Sequence, residues 1–164
     1  MELQSKATVY AALGGTLALM GGIVYYAGLD NVDLEQVEVE LAAVELGDVN
    51  RATGRAELDV TFLVRNPSDK TFTVSLITYE LYGDGRLLGS GQYSTADIAL
   101  PGRAVFYAGA EVPLESRFVI EKAPGNADAY DAAVGGGIGS YSAEGIITAE
   151  SSWSVVEKEF RAGT

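Results

Sequence analysis

The chain contains no cysteine and no histidine. Without cysteine there are no disulfides, no thiol chemistry and no lipid-modified cysteine to act as an anchor. Without histidine the usual general base and the commonest transition-metal ligand are missing together. That removes Ser-His-Asp, Cys-His and histidine-bound zinc designs. Lysine is scarce: Lys6, Lys70, Lys122 and Lys158 stand against 23 Asp and Glu, and the net charge is −12. Acidity of this size repels nucleic acid and anionic headgroups, so no nucleic-acid partner is expected. The last absence is local. Between Lys6 and Asp30 lie 23 residues without a single charge, ATVYAALGGTLALMGGIVYYAGL.

As a helix, residues 7–29 rise about 1.5 Å each and cover roughly 34 Å, enough for a hydrocarbon core of about 30 Å. Tyr10 lies near one end and Tyr25 and Tyr26 near the other, where amphipathic rings settle at membrane interfaces. A cleaved secretory signal has a shorter apolar core and small residues at its cleavage positions, which Tyr25-Tyr26-Ala27-Gly28 does not match. The expectation is therefore an uncleaved single-pass anchor in the cell membrane. Lys6 and the α-amino group precede it, whereas Asp30, Asp33 and Glu35 follow it. That charge bias places the amino terminus inside and the rest of the chain outside. The expected partner of residues 7–29 is the lipid bilayer. Gly14, Ala18 and Gly22 recur every four residues, with Ala7, Ala11 and Gly15 as a second row. Small residues so spaced let helices approach closely, which suggests self-association or a membrane-protein partner.

Residues 30–164 are long enough for one domain with its own core, and they carry the whole net charge, since Glu2 and Lys6 cancel. The low lysine content with abundant Ala, Gly and Val is, in composition alone, similar to proteins of salt-loving archaea. In molar salt a Debye length of about 3 Å screens the self-repulsion of such a surface.

The hydrophobic pattern of this part has the period of half-buried strands. Val37, Val39 and Leu41 share a face, the phase slips at Ala42-Ala43 as at a bulge, and Val44 and Leu46 continue. Gly47 to Gly54 reads as a loop. Ala56, Leu58, Val60, Phe62 and Val64 form the cleanest apolar face. Asn66-Pro67-Ser68-Asp69 breaks it. Phe72, Val74 and Leu76 alternate, then Ile77, Tyr79 and Leu81 one residue out of phase. Gly83-Asp84-Gly85 is a hairpin signal, and Leu87 to Gln92 returns. Ile98 and Leu100 lead to a turn at Pro101-Gly102, and Phe106, Ala108, Ala110, Val112 and Leu114 suggest one further strand. Glu115 to Gly139 is the least strand-like stretch, with two helical turns over Ala127 to Val134 ended by Gly135-Gly136-Gly137. Tyr141 to Ala149 and Trp153 to Phe160 complete the strands. The expected fold is mainly β, an antiparallel immunoglobulin- or fibronectin-like sandwich with one short helix. The organisation reads as an anchor over residues 1–29, an acidic stalk over 30–36 and the sandwich over 37–164.

Asn66-Pro67 after one strand, Tyr79 in the next, the hairpin Gly83-Asp84-Gly85, and Gly89 and Gly91 in Leu88-Gly89-Ser90-Gly91 together resemble the group 2 late-embryogenesis-abundant (LEA) proteins. Their domain is also called the water stress and hypersensitive response domain. The resemblance covers roughly residues 37–160. It implies a small sandwich, a link to desiccation or osmotic stress, and often an amino-terminal membrane anchor; it brings no catalytic residues. Independently of it, Pro67 pushes Asn66 to extended geometry, and the Asn side chain can cap the turn.

Other constellations are weak. Asp30, Asp33 and Glu35 lack the glycine and closing glutamate of a calcium loop. Gly135-Gly136-Gly137-Ile138-Gly139 lacks the lysine of a phosphate loop. Asp128 and Asp131 share a helix face without a visible cleft. Trp153 with Tyr141 or Phe160 reads as core. No catalytic, cofactor-binding or metal-binding residue is assigned. The expected function is that of a non-enzymatic, membrane-anchored stress-protective or binding module. The alternative is a structural subunit of a surface filament, pilin-like in joining a hydrophobic helix to a β-domain. A third reading, carriage of a small molecule between the sheets, belongs to the binding class.

Overall fold

The computed structural model describes residues 6–97 and 104–164. The expected strand end and turn at Ile98 to Gly102 lie outside the described residues. The first element, α1 (Lys6–Leu34), is a 29-residue helix without proline. Its Thr8–Tyr26 stretch is long and apolar enough to cross a bilayer, and none of it is buried. The helix continues beyond Asp30, so the expected stalk begins as the last turn of α1. Leu34 and Val37 are buried in the domain core. Lys158 fastens the junction, its Nζ donating to the Val37 carbonyl at 2.6 Å.

Among the described residues eight strands follow: β1 (Glu38–Asn50), β2 (Arg55–Arg65), β3 (Phe72–Gly83), β4 (Arg86–Ser94), β5 (Val105–Phe106), β6 (Glu111–Glu121), β7 (Tyr141–Glu150) and β8 (Val155–Gly163). They form two antiparallel sheets, β1-β2-β6 and β4-β3-β7-β8, with β5 pairing the start of β3. The expected β-sandwich is thus present. Its short helix, α2 (Ala127–Val134), spans the residues read from the sequence. The clean face of β2 is the interior: Ala56, Leu58, Val60, Phe62 and Val64 are fully buried. Phe62 packs edge-on against Tyr79 at 4.8 Å and Phe160 at 5.8 Å between ring centroids. Both phase slips are register shifts. Ala42 is the extra residue of β1 against β2, and Ser75 the extra residue of β3 against β7.

Four expectations are corrected. β1 runs on to Asn50, so the loop shrinks to the turn after it, where the Asn50 carboxamide accepts from the N–H groups of Ala52 and Thr53. The alternation from Phe106 to Leu114 is two strands, not one, because Gly109 at φ 72° turns the chain from one sheet to the other. The stretch after Glu115 is strand as far as Glu121, and Ser116, Phe118 and Ile120 are buried. Trp153 is not core: it is 79 % exposed in the turn before β8, which starts at Val155.

Pairing of Glu38 with Arg65, and of Arg65 with Glu111, puts the starts of β1 and β6 and the end of β2 at one end of the sandwich. The start of β3, β5, the end of β7 and the start of β8 lie at that same end, where α1 joins. The β3–β4 turn and α2 occupy the other.

Candidate functional site

The residues singled out in the sequence become three joints of the scaffold. At the α1 end, Asn66 is fully buried. Its Nδ2 donates to the carbonyls of Lys70 (2.7 Å), Phe106 (3.0 Å) and Tyr107 (3.1 Å). Its Oδ1 accepts from the Ser68 N–H at 3.1 Å and the Ser68 Oγ at 2.8 Å. Its backbone N–H donates to the Ala110 carbonyl, and its own carbonyl accepts from Gly109. One carboxamide thus ties the β2–β3 connection, which Pro67 begins, to the β5–β6 turn. A buried amide must find such partners or its desolvation goes uncompensated.

The second joint crosses the core. Tyr79 on β3 places its hydroxyl 2.9 Å from Ser116 Oγ on β6. Ser116 Oγ in turn donates to the Gln92 carbonyl on β4 at 3.0 Å. Burial raises the Tyr79 phenol above its ordinary value, and the Ser116 bond offsets part of that. Gly91 faces Tyr79 across the β3–β4 ladder. A Cβ there would lie 2.6 Å from Tyr79 Cζ and 2.9 Å from Phe118 Cδ2, so the ring needs glycine opposite it. Gly89 stands next to Leu88, the extra residue of a third register shift.

The third joint closes the far end. Asp84 and Gly85 have φ of 48° and 75°, as a two-residue type I′ hairpin requires. The Asp84 carboxylate accepts from the N–H groups of Gly139 and Ser140 at 3.1 and 3.0 Å. Those bonds, Gly139 first, hold its pKa below the usual carboxylate range. Gly83 admits the Ile138 side chain, whose Cδ1 would lie 2.5 Å from a Cβ.

A furrow of about 830 Å³ lies on the outer face of the β4-β3-β7-β8 sheet. Its origin is the pleat. The inward row Gly91, Tyr79, Gly145 and Phe160 leaves a trough between two outward rows. Gln92, Thr78, Ile146 and Glu159 line one bank, and Ser90, Glu80 and Glu144 the other. Glu80 accepts from the Tyr82 hydroxyl at 2.6 Å, and Glu144 pairs with Arg161. The furrow is open, and its charged lining comprises Glu80, Glu144 and Glu159 with Arg117 of β6 at its edge. It was not foreseen, because its residues come from five strands, Arg117 of β6 included, and form no local motif.

The remaining sequence-marked groups are not brought together. Gly14, Ala18 and Gly22 stand on the unburied length of α1 with open space around the glycines. Asp131 is taken by Lys122, whose Nζ lies 2.6 and 2.7 Å from its carboxylate oxygens and 5.6 Å from the Tyr130 ring centroid. Among the described residues no group of three or more Asp and Glu is placed to hold a metal ion.

No family model matches the sequence, and no curated protein matches it. Among solved structures, the chain is similar to a protein from Archaeoglobus fulgidus at 15% identity and TM-score 0.46, covering 80% of this chain and 94% of that one. It is similar to a late embryogenesis abundant protein at 14% identity and TM-score 0.45, covering 100% and 94%. It is also similar to the ApaA protein from Bordetella pertussis at 7% identity and TM-score 0.47, covering 78% and 91%. The β-sandwich itself is established by the strand pairing above, independently of these likenesses.

Proposed function

We propose that the chain is a single-pass membrane protein whose β-sandwich acts outside the cell membrane as a non-enzymatic stress-protective or binding module. The observation that carries this reading is the unburied apolar stretch Thr8–Tyr26, joined to the sandwich by two core residues of its own junction, Leu34 and Val37. A helix with that much exposed apolar surface needs a non-aqueous environment, and a bilayer supplies it. A passive role is supported by Asn66, Ser68 and Ser116, buried polar side chains that are used to hold the fold. The resemblance of Asn66-Pro67, Tyr79 and the glycine hairpin to group 2 LEA proteins supports protection against drying or osmotic stress. The acidic composition supports a high-salt, archaeal-like setting. In this reading the furrow is the surface on which polar ligands are met, and Gly14, Ala18 and Gly22 form a face for a second helix in the bilayer.

The test is a strain lacking the chain, complemented with the full-length protein or with Leu17→Arg, which places a charge in mid-span. Protection on drying or osmotic shock is expected from the first and not from the second. Equal protection by both would dismiss the membrane-anchored role. Sequencing the mature amino terminus separates the filament alternative, which requires a start just after Lys6 or Ala7.

A further inference from the structure

The sandwich end from which α1 departs carries the domain's strongly exposed aromatic residues. Among the described residues of the domain these are Trp153, 79 % exposed, and Tyr107, 66 % exposed. Trp153 sits in the β7–β8 turn, where the Ser151 Oγ accepts from the N–H groups of Trp153 and Ser154 and fixes the loop. Tyr107 sits in the β5–β6 turn, where its carbonyl accepts from Ala110 and from the Asn66 carboxamide. Between them, Val105, Thr73, Glu150 and Val155 form one cross-strand row, and the two valines are exposed. Both aromatic rings thus stand open to solvent on the tips of two braced turns.

The position of α1 says what covers them. From Tyr26, where the apolar stretch ends, to buried Leu34 is eight residues, a helical rise of about 12 Å. A bilayer's interfacial layer adds about 5–8 Å on each side of its hydrocarbon core. The aromatic end of the sandwich is therefore held at or just above the headgroups by the helix that precedes it. Tryptophan and tyrosine are the side chains that favour this layer, the ring among acyl carbonyls and the polar atom toward water. We propose that Trp153 and Tyr107, with Val105 and Val155 between them, seat the domain on the headgroup layer of the bilayer that α1 spans. The proposal rests on reading α1 as a membrane span. It makes the domain a surface-lying one, with the furrow's sheet rising from the membrane instead of swinging on a tether.

Trp153 is the chain's one tryptophan, so its fluorescence reports on this contact directly. The full-length chain is reconstituted in phosphatidylcholine vesicles that carry a quencher near the headgroup or deep in the acyl chains, and acrylamide probes access from water. A second protein, Trp153→Phe with Leu17→Trp, reports on the span. Seating predicts loss of Trp153 emission with the shallow lipid quencher, shielding from acrylamide, and a shift of its maximum to shorter wavelength. The tryptophan introduced by Leu17→Trp should be lost to the deep quencher. If that tryptophan is quenched while Trp153 stays open to acrylamide and untouched by lipid quenchers, seating is overturned and the span stands. If Trp153 is shielded from acrylamide without lipid quenching, the face is covered by protein, which also overturns the proposal. If lipid quenches neither, span and seating both fall.

Discussion

Replacing Asn66 by alanine should cost far more than its position in a connecting loop suggests. The side chain is fully buried and makes five hydrogen bonds, three as donor and two as acceptor. Two donor hydrogens serve three carbonyls, so one of those bonds is shared. In the alanine variant the Lys70 and Tyr107 carbonyls, nearer the surface, can turn to water. The Phe106 carbonyl and the Ser68 N–H, whose bonds to Asn66 are buried, cannot. Each stranded group costs about 1–3 kcal/mol, so the sum is roughly 2–6 kcal/mol. That is a large part of the roughly 5–15 kcal/mol a domain possesses. Asn66→Asp should be no better, because a carboxylate keeps the Ser68 contacts but faces three carbonyl oxygens. Denaturant unfolding of the full chain in detergent, followed by the strand signal in circular dichroism, measures both. An Asn66→Ala change within about 0.5 kcal/mol of the parent, the range of ordinary surface substitutions, would refute the claim that this carboxamide holds the α1 end together.

Phe62→Ala should cost about 3–5 kcal/mol by cavity formation, while Thr61→Ala, on the opposite face of β2, should cost little in the same unfolding assay. Thermal midpoints should climb from low salt to molar potassium chloride, because residues 30–164 carry the net charge of −12; a flat series would show that its self-repulsion is unimportant. Asp84 has a folded pKa held below its unfolded value by the Gly139 and Ser140 N–H groups. Its contribution is therefore complete above the ordinary carboxylate pKa of about 3.9 and is lost as pH falls through the folded value. The stability difference between the parent and Asp84→Asn should shrink on acidification, and a difference that grows would reverse the assignment.

Much of the sandwich was legible because local chemistry and tertiary structure agree. The β2 face alternates without error, the phase slips at Ala42 and in β3 coincide with bulges, and Asp84-Gly85 supplies the two positive φ angles of its hairpin. Where the reading failed, a short-range pattern was indifferent to a long-range choice. Alternation from Phe106 to Leu114 continues through Gly109, so it looks the same whether the chain stays in one sheet or crosses to the other. β6 was half missed because a serine, Ser116, occupies an interior position and is satisfied only by Tyr79 and Gln92 from the other sheet. Trp153 was assigned to the core on its chemistry alone, and nothing local shows that it lies at a turn. The structural roles of Asn66 and Gly91 follow from close contacts across the fold. The furrow has no counterpart in any stretch of sequence, since strands of both sheets must come together before it exists.

The proposed function requires that α1 crosses a bilayer and carries the sandwich on it. Extraction of membranes bearing the full-length chain with alkaline carbonate tests that claim directly, because it strips peripheral proteins and leaves spanning ones. The chain should remain with the membrane pellet and be released only by detergent. Its appearance in the carbonate supernatant would contradict the span, and with it the proposed function and the seating of Trp153.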